Sequence, residues 1–328
     1  MFRHWIYFLL LVSLVAPASS LPAQTSQIVI ERNVVMKTRD GITLHADVYH
    51  QAGTQKYPVL LTRTPYDKEN GAAFARAAAA RGYLVVVQDV RGRYTSEGEW
   101  YPFKHEIQDG FDTVEWVSSL PNSNGKVGMF GGSYVGATQM LAAVSHPPHL
   151  AGICPIVTAS NYHENWTYQG GAFEQWFDQS WTSGLAQDTL ARSIKTATNA
   201  AVGSTVLPLT AYPLFNLTSP IASGGLSSTI APYYLDWLAH PGYDDYWKQW
   251  SIEEQYPSIQ VPALTVAAWY DIFQGGSIEN YEGLKEHAGN DAARKGQRLF
   301  VTIGGHAGTG EKIGSVDFGA EAAQYDEN

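Results

Sequence analysis

Cys154 is the only cysteine in the 328 residues, so no internal disulfide can brace the chain. It falls in the apolar run Leu150-Ala151-Gly152-Ile153-Cys154-Pro155-Ile156-Val157, where a buried structural thiol is expected rather than a reactive one. Metal-ligand patterns are missing as well: there is no CxxC, no HExxH and no acidic calcium loop, and no metal or other cofactor is expected. The neighbours His105 and Glu106 fall on an expected loop and read as solvated side chains. Positive charge is scarce, with 21 Lys and Arg against 31 Asp and Glu, and no basic cluster offsets the balance. That argues against nucleic acid or an anionic membrane as partner. No internal repeat or low-complexity tract is present, and the composition leaves the oligomeric state open.

What is present begins with Met1-Phe2-Arg3-His4, the apolar run Trp5 to Val15, and small residues at Ala16-Pro17-Ala18-Ser19-Ser20. This is the order of a secretory signal peptide, and the run is too short to span a bilayer. Residues 1–24 are therefore expected to be a signal peptide and the product secreted or periplasmic. With no cysteine near the cleavage region, a lipid anchor is not expected, nor a membrane association once the signal is removed.

The remainder is long enough for one large core with an inserted subdomain. Ile28 to Ile30 and Val34 to Met36 read as extended, and Arg39-Asp40-Gly41 as a hairpin turn into the alternating segment Ile42 to Tyr49. Then the pattern changes to continuous apolar strands alternating with helices. Strands are predicted over 58–62, 83–89 and 126–130, with helices over 72–80, 110–120 and 137–144. Such alternation predicts a mostly parallel sheet covered on both faces, an α/β class whose sites lie beyond the C-terminal strand ends. From about Ser160 to Trp250 the regularity stops and Trp166, Trp176, Trp181, Trp237, Trp247 and Trp250 crowd together. That stretch is read as a mainly helical cap with some aromatic side chains lining a pocket. Strands resume at 261–268 and 298–303. The expected organisation is thus a core over 25–158 and 251–328, interrupted by a cap over 159–250.

Gly131-Gly132-Ser133-Tyr134-Val135-Gly136 joins a predicted strand to a predicted helix. A serine in such a turn is a candidate nucleophile, because small neighbours allow a sharp backbone reversal. The usual spacing is G-x-S-x-G, and Val135 stands where the second glycine belongs. Two later strands end at Asp271 and His306, which completes the chain order Ser, Asp, His used by α/β-hydrolases. A serine hydroxyl needs a base, and the base needs a carboxylate to hold its tautomer. Taken singly, Asp271 could instead cap the following helix and His306 could be an ordinary loop residue. The amide of Tyr134 is one oxyanion donor by position. The loop Arg63-Thr64-Pro65-Tyr66-Asp67-Lys68 could supply another through the Tyr66 phenol, or that phenol could face solvent.

Several segments together resemble the cocaine-esterase and X-prolyl dipeptidyl-peptidase-like (CocE/NonD) hydrolases. They are Arg63-Thr64-Pro65-Tyr66, Gln88-Asp89-Val90-Arg91-Gly92 with Ser96-Glu97-Gly98, the Gly131 to Gly136 turn, His240-Pro241 with Tyr243 to Trp247, and Trp269-Tyr270-Asp271. The resemblance runs from about Val34 to the C-terminus and makes the late glycine a family feature. It implies an α/β-hydrolase fold, Ser133 as nucleophile with Asp271 and His306, and an oxyanion hole of Tyr66 and Tyr134. It further implies that Asp89 and Arg91 brace their loop. In α-amino acid ester hydrolases of the family, carboxylates stand two and three residues after the catalytic aspartate. Here those positions hold Phe273 and Gln274, so an acyl pocket of Phe273 with Trp166 and Trp176 is expected rather than an ammonium site. Family members usually carry a C-terminal β jelly-roll domain, which is expected to be absent from a chain ending at Asn328.

The resulting expectation is an exported serine hydrolase acting on a small-molecule ester or amide. An X-prolyl dipeptidyl-peptidase or a glutaryl or β-lactam side-chain acylase is the alternative within the class. A hydrolase-fold binding protein without turnover is the alternative outside it.

Overall fold

The computed structural model describes residues 27–198, 230–306 and 311–322, so the expected signal peptide and the middle of the expected cap lie outside the described residues. Strands β1 (Ile28–Lys37) and β2 (Thr43–Gln51) form the antiparallel start. The two extended segments of β1 are one strand whose register shifts between Glu31 and Val34, where Asn33 takes φ 53°. Asparagine tolerates that left-handed conformation better than most residues. The alternation then runs β3 (Tyr57–Thr64), α1 (Ala72–Ala80), β4 (Leu84–Asp89), α2 (Glu106–Ser118), β5 (Ser123–Gly132), α3 (Tyr134–Val144) and β6 (Leu150–Ile156).

After β6 come a short hairpin of β7 (Tyr168–Gln169) and β8 (Ala172–Phe173), then helices α4 (Gln175–Thr198), α5 (Pro232–Ala239) and α6 (Asp245–Lys248). The sheet resumes with β9 (Leu264–Ala268), followed by α7 (Gln274–His287), α8 (Asp291–Gly296) and β10 (Arg298–Thr302). Eight strands form one sheet in the order β1-β2-β4-β3-β5-β6-β9-β10. Pairing is antiparallel at β1–β2 and β2–β4 and parallel from β4 to β10.

Strand β4 shows why the sheet needs cover on both faces. Leu84 and Val86 join the large core beneath α2 and α3, while Val85 and Val87 join a second cluster with Ala75, Ala78 and Ala79 of α1. All four are buried, and each such side chain contributes about 1.5–3 kcal/mol relative to exposure. A strand apolar on both faces is stable only in the interior of such a sheet.

Two expectations need correction. Glu106 is not a solvated loop residue: it opens α2 and is 4% exposed, because its carboxylate has buried partners that are distant in sequence. Cys154 is only half-buried, since its strand alternates facing and the thiol lies on the less covered side, although burial still pushes its pKa up.

Candidate active site

Strand β5 hands the chain to α3 through Ser133, whose φ of 59° and ψ of −128° lie far from ordinary strand or helix values. For a non-glycine residue that conformation costs about 1–3 kcal/mol and persists only where the surroundings enforce it. Here the Ser133 N–H donates to the Ile156 carbonyl at 2.9 Å, and the Ser133 carbonyl accepts Gly136 N–H at 2.8 Å and Ala137 N–H at 3.1 Å. The misplaced glycine has a steric reason. A Cβ at Gly136 would stand 2.7 Å from Thr158 Cβ, so glycine there lets α3 approach the end of β6, whereas Val135 packs over Gly131.

At the far side of the site, β9 and β10 run parallel with Ala268 opposite Thr302. The ladder continues past the strands, with Trp269 N–H on the Thr302 carbonyl and Tyr270 N–H on the Gly304 carbonyl, both at 2.9 Å. This register carries Asp271 and His306 to the same edge as Ser133. His306 Nε2 lies 2.9 Å from Ser133 Oγ, and His306 Nδ1 lies 2.6 Å from Asp271 Oδ2. A carboxylate at Nδ1 assigns the ring proton there and leaves Nε2 to accept from the hydroxyl. The Asp271 side chain is fully buried, and its second oxygen accepts the Phe273 N–H at 2.7 Å. Capping the turn before α7 and orienting His306 are therefore compatible tasks for one carboxylate. His306 keeps 33% of its side chain exposed.

Tyr66 does not face solvent. Burial raises its pKa, while hydrogen bonds to Trp181, to the Ser133 side chain and to the Tyr134 backbone lower it. The Trp181 indole N–H donates to its phenol oxygen at 3.0 Å. With acceptor capacity taken up this way, the phenol proton is free to point toward Ser133. The Tyr134 ring is fully buried, and its hydroxyl donates to Glu106 Oε1 at 3.0 Å.

Phe273 stands edge-on to the His306 imidazole, with centroids 5.1 Å apart at 84°. Its ring stacks on Trp166 at 4.5 Å and 13°. Both rings are fully buried and border a small cavity of about 10 Å³, to which Phe177, Asn165 and Glu174 also contribute. Trp176 does not belong there: it is 80% exposed, because it lies on the outward face of α4. The inward face carries Phe177 and Trp181, which the sequence reading did not single out for the site. Their spacing of one helical turn is the signal that could have found them.

Residues 40–308 match the profile of the X-Pro dipeptidyl-peptidase (S15) family. The chain belongs to this family, the CocE/NonD hydrolases. It is 32% identical over 269 residues to the cocaine esterase of Rhodococcus sp. (strain MB1 Bresler), covering 79% of this chain and 47% of that protein. An aminopeptidase from the marine sediment archaeon Thaumarchaeota archaeon shares the fold at a TM-score of 0.71 and 23% identity, over 96% of this chain and 55% of that one. A CocE/NonD family hydrolase from Staphylococcus aureus gives 0.64 and 24%, over 84% of this chain and 46% of that one. The chain thus spans about half the length of these relatives.

The segments that carry the CocE/NonD resemblance also carry buried ion pairs. Asp89 accepts the Lys68 N–H at 2.8 Å and the Thr95 hydroxyl at 2.8 Å, with Lys68 Nζ 3.3 Å away. Arg91 forks onto Asp109 at 2.6 and 2.9 Å and onto Asp40 at 2.7 and 3.0 Å. None of these contacts involves Ser133, so the two residues brace the loops around the site. Among the described residues no group of three or more His, Cys, Asp or Glu could hold a metal ion, and no helix is long and apolar enough to cross a membrane.

Proposed function

We propose that this CocE/NonD hydrolase cleaves carboxylic esters of small molecules through an acyl-enzyme on Ser133. The observation that carries the reading is the continuous contact Ser133 Oγ, His306, Asp271, at 2.9 and 2.6 Å. Ser133 attacks the carbonyl carbon as its proton passes to His306 Nε2, and Asp271 stabilises the imidazolium. The Tyr66 hydroxyl and the Tyr134 N–H receive the developing oxyanion. Collapse expels the leaving group, which takes the proton from His306. Water reaching the exposed edge of the imidazole is then deprotonated there and releases the acid, restoring the serine.

The Phe273 ring, edge-on to the His306 imidazole and stacked on Trp166, favours an apolar or aromatic acyl group beside Ser133. Phe273 and Gln274 supply no carboxylate for an α-ammonium. The esterase name of the Rhodococcus relative favours esters over amides. The X-Pro dipeptidyl-peptidase profile match sustains a second reading, cleavage after Xaa-Pro, and a glutaryl-acylase is the further alternative; parallel assays of aryl esters, Xaa-Pro anilides and glutaryl amides separate them. The N-terminal charge and apolar run support export, checked by sequencing the N-terminus of the protein recovered from an exporting host.

Ser133→Ala is expected to abolish labelling by a fluorophosphonate probe. A variant that still labels overturns the nucleophile, and an unmodified protein that never labels across a broad panel of activated esters and phosphonates returns the non-catalytic reading.

A further inference from the structure

Behind the nucleophile lies a charged pair that this mechanism does not use. Arg63 Nη1 meets Glu106 Oε2 at 2.6 Å, with side chains 0% and 5% exposed. The other carboxylate oxygen accepts the Tyr134 hydroxyl at 3.0 Å, and that phenol oxygen accepts the Phe103 N–H at 2.8 Å. Phe103 is itself held at φ 68°, so strained backbone aims this donor at the phenol. A buried ion pair contributes little net stability compared with apolar residues of the same shape, because desolvation offsets the attraction. Its location says more about its use.

Arg63 is three residues ahead of Tyr66, and Glu106 holds the residue that follows Ser133. We infer that the Arg63–Glu106 pair is a positioning device that fixes the separation of the two oxyanion donors, the Tyr66 hydroxyl and the Tyr134 amide. The inference rests on the serine-hydrolase reading above.

The direction of the Tyr134 N–H depends on the strained torsions of Ser133, which relax unless Tyr134 is anchored. Its ring is stacked on Phe103 at 5.2 Å and on Trp181 at 5.9 Å, but stacked faces can slide. The hydroxyl on Glu106 removes that freedom. On the other side, Arg63 Nε donates to Gln88 Oε1 at 2.9 Å, and the Arg63 carbonyl accepts the Thr138 hydroxyl of α3 at 3.1 Å. The Pro65 carbonyl, next to Tyr66, accepts from Arg93 Nε at 2.9 Å. One pair therefore ties the strand that leads into the first donor's loop to the helix that carries the second. Displacing reacting partners by about 1 Å can cost on the order of 10²-fold in rate.

The test compares Tyr134→Phe, Glu106→Gln and the double variant on an aryl ester and its thionoester. Sulfur accepts hydrogen bonds poorly, so an aligned oxyanion hole discriminates strongly between the two substrates. Each single variant is expected to lower kcat about 10-fold with KM unchanged, and to bring the oxo/thiono rate ratio toward its uncatalysed value. The double variant is expected to be no worse than either single one. A kcat and ratio within about twofold of the unmodified protein, even with a lowered Tm, would overturn the positioning role. If Glu106→Gln fails to fold, Tyr134→Phe decides alone, since it leaves the ion pair intact. Fluorophosphonate labelling separates the two levels: a labelled protein whose variants keep the ratio overturns only the positioning, whereas an unlabelled one overturns the hydrolase reading beneath it.

Discussion

On the sheet side of Ser133, the buried charges meet opposite charges: Arg63 with Glu106, Lys68 with Asp89, Arg91 with Asp109. On the cap side, Asp178 of α4 is fully buried, and among the described residues neither carboxylate oxygen has a hydrogen-bond partner. Burial, reinforced by the charge of Glu174, pushes its pKa up to about 9, so it is neutral at pH 7. Around it the cohesion is aromatic, with Trp166 on Phe273 at 4.5 Å and Trp181 on Trp237 at 6.1 Å. Directional charge pairs hold the loops behind Ser133, and stacked rings hold the cap side.

The sharpest way to break the contrast is Arg63→Met. It leaves Glu106 buried and unpaired, which costs about 3–5 kcal/mol in urea denaturation. A loss below about 1 kcal/mol would mean that the sheet side does not depend on its charges. Trp181→Phe probes an indole that joins the two sides, through its stack on Tyr134 and its hydrogen bond to Tyr66. Removing that bond is expected to lower kcat by about five- to tenfold, with a loss of about 1–3 kcal/mol in stability. A changed KM with normal kcat would assign Trp181 to substrate binding alone.

The smallest effect is expected at Asp178, and its sign follows from the proton balance. The folded protein keeps this carboxyl protonated up to about pH 9, whereas the unfolded chain releases the proton near 3.8, as an ordinary aspartate does. Its contribution to stability is thus greatest at low pH and declines as pH rises toward 9, with no further decline above that value. Asp178→Asn removes the decline. The stability difference between about pH 5 and pH 8 should shrink by at least about 1 kcal/mol, as measured by denaturant titration at both values. An unchanged difference would show that Asp178 acquires a partner on ionising.

The same contrast explains what could be read from the chain alone. Ser133, Asp271 and His306 each close a run of apolar strand residues, a local signal, and the parallel sheet does the rest by bringing strand ends to one edge. Tyr66 was legible only through its motif, because no local pattern reveals that a loop phenol turns inward. Glu106 reads as solvated because its partners, Arg63 and Tyr134, are 43 and 28 residues away. The choice of Trp176 over Trp181 is a different kind of miss. Treating the tryptophan-rich stretch as irregular discarded the helical period, which places 177, 181 and 185 on one face and 176 off it.

Cys154 adds a last consequence. Its thiol sits on β6, where its amide donates to Gln139 Oε1 of α3 at 3.0 Å and its register partner is Phe130 of β5. As the chain's single sulfhydryl, it can be alkylated at one place only. A maleimide or spin label attached there would report on the strand that runs beside Ser133, with every other residue left as it is.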